Sequence, residues 1–415
     1  MSRDARRDLD VVVFGASGFV GRLVAAHLAA HAPAGFRAAL AGRSRERLAR
    51  VRDGLGPAAA GWPLLVADAA DPAALRELAA STRVVVSTVG PYLRHGLPLV
   101  RACAQEGTHC ADLTGEVLFV RRSIDTCHEL AGATGARIVH SCGFDSVPSD
   151  LAVLLTAERA GPLAEAVLEV SSLRGGVSGG TLDSLRLQHD TAHGDPAARA
   201  LLADPYSLSP DRAAEPDLGP QPDLPPPARL PDGRWSAPFV MAPFNTRVVR
   251  RSNALRGHAH GPLRYREVLT FSGPAAAAEA HAVTGALAGL SRALGVPAVR
   301  PLLDRLLPGP GSGPSERTRR TGRFATVLRA RALDGSGWRT VVSAAGDPGY
   351  AATSVMLGQS ALALALDEDR LPAAAGVLTP ATGIGPLLGA RLRAAGFTVT
   401  TDRVAAHPPS GPPIG

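Results

Sequence analysis

Three glycines stand between a short apolar run and an apolar helical pattern close to the start of the chain. Residues 11–14 are Val-Val-Val-Phe, and Gly15-Ala16-Ser17-Gly18-Phe19-Val20-Gly21 follows directly. Phe19, Val20, Leu23, Val24 and Leu28 then recur at helical spacing. An apolar run without alternation fits a parallel strand buried on both faces. The first glycine permits a tight turn, Gly18 lets the backbone approach a pyrophosphate, and Gly21 lets helix and strand pack closely. The helix start then offers free N–H groups and the positive end of its dipole to phosphates. The spacing is G-x-x-G-x-x-G rather than G-x-G-x-x-G, a weak signal in isolation. Its place inside a βαβ unit makes it a strong one.

That unit repeats. Strand-like segments at 36–41, 64–67, 84–88, 109–113 and 137–140 alternate with helical ones at 45–55, from Asp71-Pro72 onward, 97–106 and 119–133. Asp71 is placed to cap its helix, with Pro72 at the first helical position. The rhythm predicts an α/β fold, a Rossmann-type doubly wound parallel sheet over residues 1–148. After residue 149 it gives way to an α+β pattern with an antiparallel sheet, expected over 149–345 for substrate binding or dimerisation. Strands are expected at 167–173, 239–247 and 265–271, and a hairpin at 323–344 around Asp334-Gly335-Ser336-Gly337. Ten prolines between 205 and 238 predict an extended or disordered loop there, and 308–315 reads as another. Residues 346–402 return to helix and strand, and a flexible tail is expected from 403 to 415.

The end of the second strand selects the cofactor. NAD sites place an acid there for the ribose hydroxyls. This chain has Gly42-Arg43-Ser44-Arg45, with no carboxylate, so Arg43 and Ser44 can hold a 2′-phosphate and the expected cofactor is NADP(H). Asp68, ending the third strand, can reach the adenine or serve as a cap. Thr88, Val89, Gly90 and Pro91, ending the fourth, would line the path to the nicotinamide.

Composition narrows the chemistry. With 415 residues, 45% of them hydrophobic, the chain suits two domains. Every one of its 44 basic residues is arginine, against 37 acids, for a net charge of +7. Such a balance suits anionic ligands, although a GC-rich coding sequence produces the same bias. No nucleic-acid-binding motif is present. Without lysine, neither a lysine Schiff base nor a lysine general base is available. Cys103, Cys110, Cys127 and Cys142 form no C-x-x-C pair, so neither a disulfide scaffold nor a metal site is expected. The charged start lacks an apolar signal core, and the stretch 351–366 is short and interrupted by Thr353, Ser354, Gln359 and Ser360. A cytoplasmic protein without a transmembrane span is expected, with peripheral membrane association and a homodimer left open.

Several strings resemble the saccharopine dehydrogenase-like oxidoreductases, and most closely the trans-acting enoyl reductase branch. They are residues 15–21, Ala41-Gly42-Arg43, Thr88-Val89-Gly90-Pro91-Tyr92, Asp112-Leu113-Thr114-Gly115-Glu116 and Cys142-Gly143-Phe144-Asp145-Ser146-Val147-Pro148-Ser149-Asp150. Gly179-Gly180-Thr181, the run Asn245-Thr246-Arg247 to Ser252 and Gly346-Asp347-Pro348-Gly349-Tyr350 extend the match over most of the chain. The resemblance implies that residues 346–402 pack back on the nucleotide domain, and it implies NADPH-dependent reduction of a carbon–carbon double bond in a polyketide or fatty acyl thioester, acting in trans on a chain held by a carrier protein or synthase. An imine- or ketone-forming dehydrogenase and a non-catalytic nucleotide-binding or membrane-associated regulator are the alternatives.

Enoyl reduction needs a hydride at the β-carbon, a proton at the α-carbon and a donor for the enolate oxygen. Tyr92 and His95, just past the fourth strand, are candidate proton donors. Asp145, past the sixth, is another, although Asp145 or Ser146 can instead cap the next helix. Asn245 and Arg247 are candidates for binding a substrate carboxylate, thioester or phosphate, with a structural ion pair as the competing role. Asp112 and Glu116 suit paired acids or helix capping equally.

Overall fold

In the computed structural model, which describes residues 7–175, 179–294 and 313–405, the chain builds two seven-stranded sheets. The first uses β1 (Leu9–Phe14), β2 (Ala38–Gly42), β3 (Leu64–Val66), β4 (Thr82–Ser87), β5 (His109–Asp112) and β6 (Arg137–Val139). Between and after them run α1 (Phe19–His31), α2 (Arg45–Gly54), α3 (Pro72–Ala80), α4 (Tyr92–Glu106), α5 (Val117–Thr134) and α6 (Val147–Ala160). Spatial order is β3-β2-β1-β4-β5-β6, all parallel, so the strand order reverses between β1 and β4. Ligands bind such sheets at the carboxyl ends of the strands flanking that reversal.

The apolar strands are buried on both faces. Val11, Val13, Val84 and Val86 pack into one layer, while Val12, Phe14, Ala39 and Val85 pack into the other. The first layer is closed by α1 and by the helix Thr353–Leu366. Asp71 caps α3 by accepting from Ala73 and Ala74 N–H at 3.0 and 3.2 Å, and Pro72 opens the helix. Both follow the expectation.

The second sheet takes β7 (Leu163–Arg174), β8 (Ala228–Arg229), β9 (Trp235–Pro238), β10 (Arg264–Phe271), β11 (Arg323–Ala332) and β12 (Gly337–Ala345), with α7 (Gly179–Gly194), α8 (Pro196–Ala203), α9 (Ala242–Leu255) and α10 (Ala276–Leu294) around it. It is mixed rather than purely antiparallel, because β7 and β10 run parallel while the other pairs are antiparallel. The carboxyl-terminal segment also departs from expectation. β13 (Gly376–Leu378) joins β6 in the first sheet, but β14 (Thr398–Val404) pairs with β12 in the second. Arg403 and Val404 therefore belong to a strand; residues 406–415 of the expected tail, and most of the 308–315 loop, lie outside the described residues.

Of the strand expected at 239–247, residues 242–247 are instead the start of α9. Phe244, Val248 and Val249 are spaced for a helix, and Pro243 sits in its first turn. The arginines of this helix are buried and hold the start of the proline-rich excursion in place. Arg247 donates to the carbonyls of Leu202, Asp204 and Pro243 and pairs with Asp223, Arg250 donates to Pro205 O, and Arg251 donates to Leu208 and Val377 O. Carbonyls at the end of α8 and at the entry to the excursion are thus satisfied by guanidinium forks, and the excursion is ordered.

The helical run Pro348–Leu366 is long and apolar enough to cross a membrane by length and composition, yet 78% of it is buried inside the protein. Among the described residues it is the one such helix. Thr353, Ser354, Gln359 and Ser360 lie within this core helix and are buried.

Candidate functional site

A cleft of about 610 Å³ opens at the carboxyl ends of β1 and β4. Gly15, Ser17, Gly18, Phe19 and Val20 form one wall, and Thr88, Val89, Gly90 and Pro91 face them. The glycines are there because nothing else fits. A Cβ on Gly15 would stand 2.7 Å from Thr88 Oγ1, at a backbone φ of +86° that L side chains rarely adopt. One on Gly21 would stand 2.2 Å from Gly15 O, so α1 lies directly against the turn. Gly18 caps α1 without any side-chain hydrogen bond, and the first turn carries no acid. Its free N–H groups and dipole therefore face the cleft uncompensated, as a pyrophosphate needs. Ala16 is buried, donating its N–H to Ala41 O, and neither it nor Gly21 reaches the cleft surface.

Exposed Arg43 and Arg47 line the far end, past β2, together with Asp68. Ser44 does not: it caps α2 by accepting from Arg47 N–H at 3.3 Å. Asp68 also accepts from Ala70 N–H at 2.9 Å. Two guanidinium groups where NAD sites hold an acid fit a phosphorylated ribose.

Beyond Thr88 and Gly90 the cleft continues into a chamber of about 150 Å³. Asp145, Tyr92, Gly115, Ser184, Met241 and Thr353 contribute to its wall. Asp145 sits on a loop pinned from several sides. Asp112 accepts from the backbone N–H of Ser141 at 3.1 Å and holds His140 Nδ1 at 2.6 Å, while Thr353 Oγ1 accepts from Phe144 N–H at 3.0 Å. Ser141 is held at φ +65°, where a non-glycine residue needs such support. Among the described residues the Asp145 carboxyl has no hydrogen-bond partner, and burial pushes its pKa up to about 6. It does not cap α6, and Ser146 caps nothing with its side chain either.

The other candidates are committed elsewhere. Tyr92 is buried; its hydroxyl donates to Ser87 O at 3.0 Å and accepts from Leu113 N–H at 3.2 Å, and burial holds its pKa well above the usual phenol value. A phenol so placed is a structural tie rather than a proton donor. His95 lies exposed on the cofactor cleft, outside the chamber. Asn245 is buried away from both cavities, accepting from Ser146 Oγ and donating to Glu267. Arg247 spends its fork on Asp223 and three carbonyls, which corrects its expected role with substrate. Glu116 is a cap: its carboxylate accepts from Tyr92 and Leu93 N–H at 2.9 and 2.7 Å at the start of α4, and from Ser184 Oγ at 2.6 Å. Asp112 is likewise absorbed by its loop. Cys142 is fully buried, with its thiol pKa raised by burial. No cluster able to hold a metal occurs among the described residues.

Ser184, Leu185 and Met241 were not anticipated. They arrive from the second sheet's helices, and no local motif marks them. Gly115 stood inside a recognised string but without an assigned role.

Comparison with known proteins agrees with this geometry. Residues 11–139 match the family model of the saccharopine dehydrogenase NADP binding domain. A putative trans-acting enoyl reductase of Mycobacterium tuberculosis is 50% identical, covering 96% of this chain and 99% of that protein. A trans-acting enoyl reductase of Mycobacterium bovis is 48% identical, with 97% and 99% covered. The solved saccharopine dehydrogenase (L-Glu forming) of Saccharomyces cerevisiae superposes with a TM-score of 0.52 over 95% of this chain and 99% of that one; at 15% identity this speaks for the fold alone.

Proposed function

Because this chain belongs to the saccharopine dehydrogenase-like oxidoreductases, in the trans-acting enoyl reductase branch, we propose that it reduces the carbon–carbon double bond of a polyketide or fatty acyl thioester, with Asp145 as the proton donor. It is an NADP-dependent oxidoreductase, and NADP(H) is its cofactor. The turn at 15–21 and the first turn of α1 would hold the pyrophosphate, Arg43 and Arg47 the 2′-phosphate, and residues 88–91 would flank the nicotinamide. When bound, NADPH supplies the hydride for the β-carbon.

The protein must supply the rest. The α-carbon needs a proton from a group that is protonated near neutral pH and within hydrogen-bond reach. Asp145 is the acid in the chamber, and its unpartnered, partly protonated carboxyl is the observation that carries this reading. An apolar acyl group filling the chamber would desolvate the carboxyl further and favour its protonated form. Thr88, Ser184 and Thr353 hydroxyls already donate to Gly15 O, Glu116 and Pro348 O. They shape the chamber rather than compete for the proton.

The charge of the chamber favours this reading over an amino acid plus oxo acid. No arginine lines it among the described residues. Substrate carboxylates would enter unpaired, at a heavy desolvation cost, whereas a neutral thioester enters freely. Presentation of the thioester on a carrier or synthase accords with the name of the relatives. The test is NADPH oxidation with α,β-unsaturated acyl thioesters, set beside the same assay with amino acid and oxo acid pairs. Turnover of the second set without the first would refute the proposal.

A further inference from the structure

Resting on the reductase reading, we infer that the substrate class is long-chain, and that its hydrocarbon lies in an apolar groove beside the Asp145 chamber. The groove measures about 340 Å³, inside the range of about 300–1,000 Å³ usual for small-molecule sites. Leu185 and Gln188 of α7, Phe244 of α9 and Leu287 and Leu290 of α10 wall it. It shares Gly115, Leu185 and Met241 with the chamber, so the two cavities adjoin through one doorway.

Gly115 makes that doorway. A Cβ there would stand 3.2 Å from Met241 Cε and 3.7 Å from Asp145 Oδ2. Bare backbone at this point leaves room between the proton donor and the groove. Only the unbranched methionine side chain has to give way.

The groove also carries unpartnered apolar surface. Leu224 and Val240, at its rim, are 51% and 40% exposed. Large apolar side chains left open inside a concave site mark a binding surface. The polar groups in its wall are few: the Arg247 guanidinium is paired with Asp223 and backbone carbonyls, Gln188 donates to Gly115 O, and His189 and Ser291 complete the set. A peptide or sugar would lose many hydrogen bonds to water and find only Gln188, His189 and Ser291 to replace them, whereas a hydrocarbon makes no such demand on these walls. Continuity with the chamber selects the acyl tail over other apolar occupants, because the tail is covalently joined to the carbon that must meet Asp145.

The experiment uses the full chain with NADPH and a series of enoyl-CoA thioesters from crotonyl to hexadecenoyl. We expect kcat/KM to rise about three- to fourfold per added methylene until the groove is filled, the fold-change that burying one CH2 produces. Leu224→Glu and Val240→Glu, both at exposed rim positions that folding tolerates, should lower the long-to-short ratio of kcat/KM by about tenfold. Displacement of cis-parinaric acid fluorescence by saturated acyl-CoA gives a readout independent of turnover, and the same variants should weaken it. If no thioester is reduced but the probe binds and the rim variants release it, the reductase reading fails and the groove assignment stands. A flat chain-length profile, or a probe that does not bind, overturns the inference. So does a change in oligomeric state in the rim variants with chain-length dependence intact, which would make the groove a contact between copies.

Discussion

Replacing Asp145 by asparagine should separate activity from stability at a single atom pair. The carboxyl lies in a chamber where burial raises its pKa from 3.8 to about 6. That difference corresponds to about 3 kcal/mol by which the fold disfavours the charged form, an upper figure because the chamber opens toward the cleft. A raised acid pKa makes the unfolded chain the readier of the two to release the proton. The wild-type protein is therefore most stable below the unfolded value and loses this increment as pH rises toward 6. Asparagine keeps the shape and cannot ionise. At pH 8 the variant should be more stable by up to about 3 kcal/mol, and the margin should fall by about half at pH 5, since each unit of pH below the folded value returns about 1.4 kcal/mol. Catalysis should move the other way. Loss of a general acid costs about 10²- to 10⁴-fold, and the wild-type kcat/KM should decline about tenfold per pH unit above 6 while the residual activity of the variant stays flat. Thermal melts across pH and initial rates of NADPH oxidation measure the two arms. A variant within a few-fold of wild-type rate, or one melting lower at pH 8, would refute the reasoning.

Other expectations follow from the cleft and its supports. Arg43→Ala should weaken NADPH binding about tenfold or more and leave NADH nearly unchanged, read by calorimetric titration, since a charge-assisted bond to phosphate is worth about 1.5–3 kcal/mol. Gly21→Ala forces a methyl group to 2.2 Å from Gly15 O, so nucleotide binding should be abolished in the same titration. Glu116→Ala removes the acceptor for two N–H groups at the start of α4 and for Ser184. It should cost about 1–2 kcal/mol in chemical denaturation.

The nucleotide half was legible because it rests on local rules. Gly18 and Gly21 are required by the turn's own backbone and Gly15 by its positive φ, and Arg43 stands one residue past a strand; the distant clash of Gly15 with Thr88 only adds to a local rule. The chamber follows from partners that sequence does not announce. Tyr92 stands at the right strand end for a donor, but its hydroxyl lies between Ser87 O and Leu113 N–H, which only the fold reveals. Asp145 looked like a helix cap because caps and catalytic acids occupy the same kind of loop; what distinguishes it is that no amide among the described residues donates to it. Arg247 of α9 suited a substrate anion and a structural ion pair equally in sequence, and only its partners separate the two. The arginines of α9 are buried where the end of α8 and the entry to the proline-rich chain leave carbonyls of Leu202, Pro205 and Leu208 for guanidinium groups to satisfy.

The return path of the chain sets the timing of its assembly. A ribosome synthesising from the amino terminus finishes the strand adjoining β13 near residue 139, yet β13 itself emerges only after residue 376, and the helix that roofs β1 and β4 only after 353. Until then one edge of a parallel sheet and an apolar face remain open, the surfaces most prone to mispairing. The second sheet waits longer still, for β14. Neither half can close cotranslationally as a finished unit, so synthesis at low temperature or with chaperones should raise soluble yield, whereas a fragment ending near residue 148 should aggregate.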